Sequence, residues 1–179
     1  DELIGFAGRF VEEKGFDFLL KSIPYVLQRV PNAKFIYAGD YNVVYESFFE
    51  KWYHLIERWR DNVILVGLIR DPQKMANFYA MCDVFALPSR SDCFPSVQIE
   101  AMLCGTPVVA TDIPGGRVPV QVTKMGRLVR PQDEQALAEG LVEVLTNREQ
   151  YVKSRDEIEA VFSLEKTVEE YERLLQSLI

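Results

Sequence analysis

Short apolar runs that alternate with helix-period segments set the tightest limit on what this chain can fold into. Leu3–Ala7, Lys34–Ala38, Val63–Val66, Val84–Leu87, Val108–Ala110 and Gly126–Val129 are short and mostly apolar. Runs of this kind, bounded by Gly, Pro, Asn or Asp, read as strands buried on both faces. Between the first two, Phe16, Leu19, Leu20, Ile23, Val26, Leu27 and Val30 recur at helical spacing until Pro31-Asn32. An aromatic-rich helix is predicted over Val44–Trp59, and another opens at Asp71-Pro72, an N-cap followed by Pro at the first helical position. Further helices are predicted from Pro95 to about Leu103, over Asp133–Leu145, over Glu149–Val161 and over Leu164–Leu178. Strands and helices in this order predict an α/β domain, a parallel sheet of about six strands covered by helices on both faces.

The 179 residues are enough for one domain, 1–179, with a sizeable core, and no repeat or low-complexity linker divides them. A net charge of −7 argues against a nucleic-acid binder, which needs a basic field. It also makes each loop cation informative, because an acidic protein that binds an anion must gather positive charge locally. Cys82, Cys93 and Cys104 show no metal-ligand or disulfide spacing, so neither a metal site nor a disulfide framework is expected. Reduced thiols, no apolar run of membrane-spanning length and no signal peptide before Asp1 lead to the expectation of a cytoplasmic protein. The chain opens almost directly on a strand, as an excised domain would. His54, mid-helix among aromatics, reads as structural.

Sheets of this kind bind ligands outside the carboxyl ends of their strands. The loop after the first strand is Gly8-Arg9-Phe10-Val11-Glu12-Glu13-Lys14-Gly15. Its Arg fork and Lys point charge suit a diphosphate, although taken alone they could equally be solvated surface cations. After the third strand come Leu68 and Ile69, and after the fifth come Thr111 and Gly115-Gly116.

The fourth strand leads into Pro88-Ser89-Arg90-Ser91-Asp92-Cys93-Phe94-Pro95-Ser96-Val97-Gln98-Ile99-Glu100-Ala101-Met102. Asp92 and Glu100 lie eight positions apart, on either side of a helix start. A carboxylate there can accept hydrogen bonds from two vicinal hydroxyls, and the first backbone N–H groups of the helix can meet an anion. With Leu103-Cys104-Gly105-Thr106-Pro107-Val108 following, and with Gly8-Arg9 and Lys14-Gly15 upstream, the chain resembles the C-terminal, donor-binding half of a retaining glycosyltransferase of GT-B fold, of the glycosyltransferase family 4 type. The likeness extends through Val63–Gly67, Asp83-Val84, Thr111–Gly116 and Gly126–Pro131. Asp92 stands where the family usually has Glu, Cys93 stands where Gly is common, and Arg117-Val118-Pro119 replaces a segment that often carries Glu.

The resemblance implies a Rossmann-like half of a GT-B fold, without the N-terminal acceptor domain, and inactive alone. It implies that Arg9 and Lys14 hold the donor diphosphate and stabilise the leaving group, and that Asp92 sits near the transferred sugar. Glu100 would bind ribose hydroxyls, while Leu68 and Ile69 would lie near the base. Gly8 and backbone groups of Phe94, Pro95, Ser96 and Val97 would line the donor site, Pro95 having no N–H to give. Thr111, Gly115 and Gly116 would line the same cleft. No metal or other cofactor is expected, the donor being a nucleoside-diphosphate sugar, and any membrane association would come through the absent half. A nucleotide-sugar epimerase of the same fold and a non-catalytic partner module are the competing readings. A dinucleotide-dependent oxidoreductase fits less well, because no G-x-G-x-x-G follows the first strand.

Overall fold

The computed structural model describes residues 1–41, 43 and 47–178. Six strands, β1 (Leu3–Ala7), β2 (Lys34–Ala38), β3 (Val63–Gly67), β4 (Val84–Leu87), β5 (Val108–Thr111) and β6 (Gly126–Val129), form one sheet in the order β3-β2-β1-β4-β5-β6. Every pairing is parallel. The strand order reverses between β1 and β4, the kind of switch point beside which sheets of this type bind ligands.

The helices are α1 (Phe16–Leu27), α2 (Phe48–Arg58), α3 (Pro72–Met81), α4 (Ser96–Leu103), α5 (Val118–Thr123), α6 (Glu134–Thr146), α7 (Arg148–Tyr151), α8 (Arg155–Val161) and α9 (Leu164–Gln176). Side chains alternate across the sheet. Ile4, Phe6, Phe35, Tyr37, Val84 and Ala86 pack against α1, α2 and α6. Ala7, Ile36, Ala38, Phe85, Leu87, Val108 and Ala110 pack against α3, α4, α5 and α8. Both faces are thus apolar, which is why the central strands read as unbroken hydrophobic runs.

Several boundaries differ from the sequence reading. The predicted helix over Glu149–Val161 is two helices, because Ser154 forms a capping box with Glu157 and restarts the helix there. Val118–Thr123, to which no element was assigned from sequence, is the short helix α5, with Pro119 in its first turn. α1 ends at Leu27 rather than Val30, and α4 begins at Ser96 with Pro95 as its N-cap. Val44, Tyr45 and Glu46 of the predicted second helix lie outside the described residues. α9 has no buried residue, and Leu164, Val168, Tyr171 and Leu175 form an exposed apolar stripe along it. Among the described residues no helix is long and apolar enough to cross a membrane.

Ion pairs join the segments that follow β1 and β4, and the more deeply buried of them holds Asp17. Asp17, in the first turn of α1, is fully buried. Arg90, just beyond β4, grips both its oxygens, with Nη1 2.8 Å from Oδ1 and Nη2 2.9 Å from Oδ2. Lys21 adds a third contact at 3.1 Å, the Arg90 guanidinium lies 4.3 Å over the Phe18 ring, and the Arg90 amide donates to the Glu13 carbonyl. Gly15, at φ 66°, makes the approach possible, since a Cβ there would stand 1.9 Å from the Pro88 carbonyl oxygen. Removing one partner of such a pair leaves the other charge uncompensated. Asp17→Ala is therefore expected to lower stability by about 3 kcal/mol, and Arg90→Lys by about 1 kcal/mol, because a point charge cannot bridge both oxygens. Urea unfolding of both variants checks the order.

Burial, with a smaller push from Asp83, raises the Cys82 thiol from its ordinary value near 9 to about 12. The unfolded chain loses this proton near pH 9 and the folded chain keeps it, so the contribution is intact below pH 9 and is lost as the pH rises toward 12. Urea midpoints are expected to decline above pH 9, and Cys82→Ala to make that decline shallower before tyrosines begin to titrate. Exposed Cys93 should react first with iodoacetamide under native conditions, while Cys82 stays unmodified.

Candidate functional site

A cleft of about 320 Å³ lies at the carboxyl ends of β1, β2 and β3. Ala7, Ala38, Ile69, Met75 and Val97 supply its apolar lining, and Arg9, Asp40 and Glu100 supply charge. Arg9 reaches it because of its neighbours. Phe10 is fully buried and packs edge-on against Phe16 at 4.4 Å, while the Tyr37 hydroxyl donates to the Gly8 carbonyl. Arg9 stands exposed between these two anchors.

Glu100 projects from the second turn of α4 and is exposed. Ser96 and Glu100 form an exposed polar face on this otherwise largely apolar helix. The carboxylate is nevertheless held at two points. The Tyr79 hydroxyl donates to Oε2 at 2.8 Å, and the Ser96 hydroxyl donates to Oε1 at 2.9 Å. Each oxygen retains one further acceptor position, as a vicinal diol would require. Burial first, then the hydrogen bond to Glu100, pushes the Tyr79 phenol well above its ordinary value, so it remains a donor.

Lys14 ends a short 3-10 turn, Glu12–Lys14, and its ammonium lies 2.6 Å from Asp92 Oδ2. Asp92 is 10% exposed in its side chain, and the pair sits beside the cleft rather than in its lining. The expected grouping is thus divided in two. Gly8, Arg9, Leu68, Ile69, Val97 and Glu100 line one hollow, and Lys14 with Asp92 forms a separate ion pair. Phe94 is half-exposed with its ring 6.2 Å from Phe162, whereas Pro95 is buried.

The loop after β5 backs this arrangement. Thr111 is buried and donates to the Ser89 carbonyl at 2.6 Å. Gly115 packs so tightly that a Cβ there would lie 2.1 Å from the carbonyl oxygens of Asp92 and Cys93. The Gly116 carbonyl accepts from the fully buried Gln98 amide at 2.8 Å. Through these contacts Thr111, Gly115 and Gly116 shape the Asp92 loop instead of lining the hollow.

Sequence reading passed over Asp40, Tyr79, Arg90 and Asp17. Asp40 follows β2 directly, and its place at a strand end was a usable signal. Arg90 lay in the motif, but its partner 73 residues away did not announce itself. Tyr79 looked like any other helical aromatic.

The family model described as glycosyl transferases group 1 matches residues 1–147. The capsular polysaccharide biosynthesis glycosyltransferase CapM of Staphylococcus aureus is 28% identical over 99% of this chain and 46% of its own length. A D-inositol 3-phosphate glycosyltransferase of Corynebacterium urealyticum is 30% identical over 99% of this chain and 43% of its own. Sucrose-phosphate synthase from Thermosynechococcus elongatus superposes with a TM-score of 0.84 at 27% identity, over 99% of this chain and 45% of that one. Anabaena HepE, solved in complex with UDP, gives a TM-score of 0.84 at 25% identity, over 99% of this chain and 49% of that one. The chain therefore spans less than half the length of the curated relatives it matches. With residues 1–147 of 179 matched and the six-stranded sheet shared, this chain belongs to the glycosyl transferases group 1 family, as a GT-B glycosyltransferase domain.

Proposed function

We propose that this chain is the donor-binding half of a retaining glycosyltransferase, which transfers a sugar from a nucleoside-diphosphate sugar to an acceptor in the cytoplasm, in carbohydrate biosynthesis. One observation carries the reading: the strand-end cleft sets an Arg and a doubly held carboxylate around an apolar floor. A nucleoside diphosphate combines a diphosphate, a diol and a flat base, and the cleft offers a partner to each. HepE, of similar fold and 25% identical, was solved with UDP.

In this reading Glu100 accepts from the ribose hydroxyls, and Leu68 and Ile69 lie along the base. Arg9 takes the diphosphate with its planar fork. Lys14 shares the load from the rim, where Asp92 holds its ammonium. As the glycosidic bond breaks, negative charge grows on the departing diphosphate, and fixed cations there lower the barrier. Asp92, beside Lys14, faces the transferred sugar. The N-terminus of α4, with the N–H groups of Ser96 and Val97, adds a positive dipole end. The acceptor-binding site comes from an N-terminal GT-B half. An isolated donor half stays open to water, so it binds nucleotide but transfers nothing.

Isothermal titration of the full-length protein with UDP, GDP and ADP tests the binding. One of the three is expected to bind, and no heat with any of them overturns the reading. In transfer assays of the full-length protein, Arg9→Ala and Lys14→Ala are each expected to lower kcat by about 100-fold or more. Glu100→Ala is expected chiefly to raise the donor KM by about 10-fold, the loss of a charged hydrogen-bond acceptor. Rates within twofold of wild type for all three variants would remove the assignment.

A further inference from the structure

We infer that Tyr79 is a positioning residue for Glu100, fixing the carboxylate in the one orientation that can accept from a vicinal diol. This rests on the proposed role of Glu100 and adds to it a residue on a different helix. Glu100 is exposed, and an exposed Glu on a helix has several rotamers of similar energy. Its carboxylate is held here by two donors of different kinds. Ser96 lies one turn earlier on the same helix and is itself exposed, so its hydroxyl can turn to water.

Tyr79 has no such freedom. It is 2% exposed, and its ring packs edge-on against Phe85 at 5.5 Å. Its backbone carbonyl accepts from the fully buried Thr106 hydroxyl at 2.6 Å, which ties the end of α3 to the turn before β5. The phenol oxygen is therefore a fixed point supplied by the core. It reaches the lining of the cleft and donates to Glu100 Oε2 at 2.8 Å. Burial also keeps the phenol protonated, so it donates and never repels the carboxylate. The ordering of the Glu100 side chain is thus settled on folding and need not be met when a ligand arrives.

The experiment compares UDP with 2′,3′-dideoxy-UDP by titration calorimetry on the full-length protein and on its Tyr79→Phe, Ser96→Ala and Glu100→Ala variants. GDP and its dideoxy form are used if GDP is the nucleotide that binds. Wild type is expected to prefer the ribonucleotide. Tyr79→Phe keeps the ring and removes only the hydroxyl, and it is expected to weaken ribonucleotide binding about 3- to 10-fold while leaving dideoxynucleotide binding unchanged. A general packing defect would weaken both nucleotides alike. Ser96→Ala is expected to cost less, about twofold at most. A Tyr79→Phe preference within twofold of wild type overturns the inference, as does an equal loss for both nucleotides. A Glu100→Ala variant that keeps the wild-type preference removes the underlying role of Glu100, a different failure. Crystals of Tyr79→Phe supply a second readout: Glu100 should occupy more than one rotamer, and a single unchanged rotamer counts against Tyr79.

Discussion

The buried carboxylate of Asp17 organises the mouth of this domain. It belongs to α1, which follows β1, yet its partner Arg90 belongs to the loop after β4. These are the two strands at which the sheet order reverses. Several contacts cross between the two segments, and the Asp17 pair is the most deeply buried of them. The Asp17–Arg90 fork and the Arg90 amide bond to Glu13 bind them together, and Lys14 and Asp92 lie on the bound segments. The 2.6 Å contact between Lys14 and Asp92 joins the same two segments nearer the surface. A fully buried carboxylate is tolerable here because three cation contacts, two of them a bidentate fork from Arg90, answer its charge.

The cleft follows from the sheet in the same way. β1 ends in Ala7 and β2 in Ala38, small residues that keep the floor low. Behind them, Phe6, Phe10, Phe16 and Tyr37 form a close aromatic cluster that makes the loop after β1 rigid. On the opposite face, Tyr79 and Phe85 do for α3 what those rings do for the loop. The polar groups of the site are therefore few, but each is mounted on packed apolar material, the condition under which a polar group keeps its direction.

Much of this was legible in the residues. The β-runs and helical periods marked all six strands and most helices. Burial on both faces gives β1, β2, β4 and β5 a continuous hydrophobic signature, whereas the edge strand β3 is apolar in sequence although Ile64 and Val66 are exposed. Arg9 could be picked out as a cation in a strand-end loop, and Glu100 as a carboxylate in a helix that follows a strand-end loop. What could not be read was pairing at a distance. Nothing in the local pattern joins Asp17 to Arg90 or Tyr79 to Glu100, since each pair depends on how two loops or two helices face one another. Thr111, Gly115 and Gly116 were marked by their position after a strand end; what their local pattern did not show is that their hydrogen bonds and close packing go to Ser89, Gln98 and the Asp92–Cys93 backbone. The break before α8 escaped because a capping box of Ser and Glu resembles an ordinary helical surface until the chain is seen to turn there.

The shorter acid at position 92 fits this geometry. The loop that carries it is pressed toward Lys14 from two sides. Arg90 pulls its start down onto α1, and Gly115 lets the loop after β5 close against its backbone. With the backbone so near, an aspartate already brings Oδ2 to 2.6 Å from the ammonium at 10% side-chain exposure. A glutamate on the same backbone would carry one methylene more into a space that the ion pair already spans. It would have to bend back toward Lys14 or project past it. Chain length at this position and loop height beneath it are therefore a matched pair, and a change in one is expected to be felt through the other. The charge balance follows the same logic. Arg9 and Lys14 stand five residues apart in a loop of a protein with a net charge of −7. Pairing Lys14 with Asp92 limits the repulsion between these cations and restrains the Lys side chain, whose loss of rotamer freedom is settled on folding.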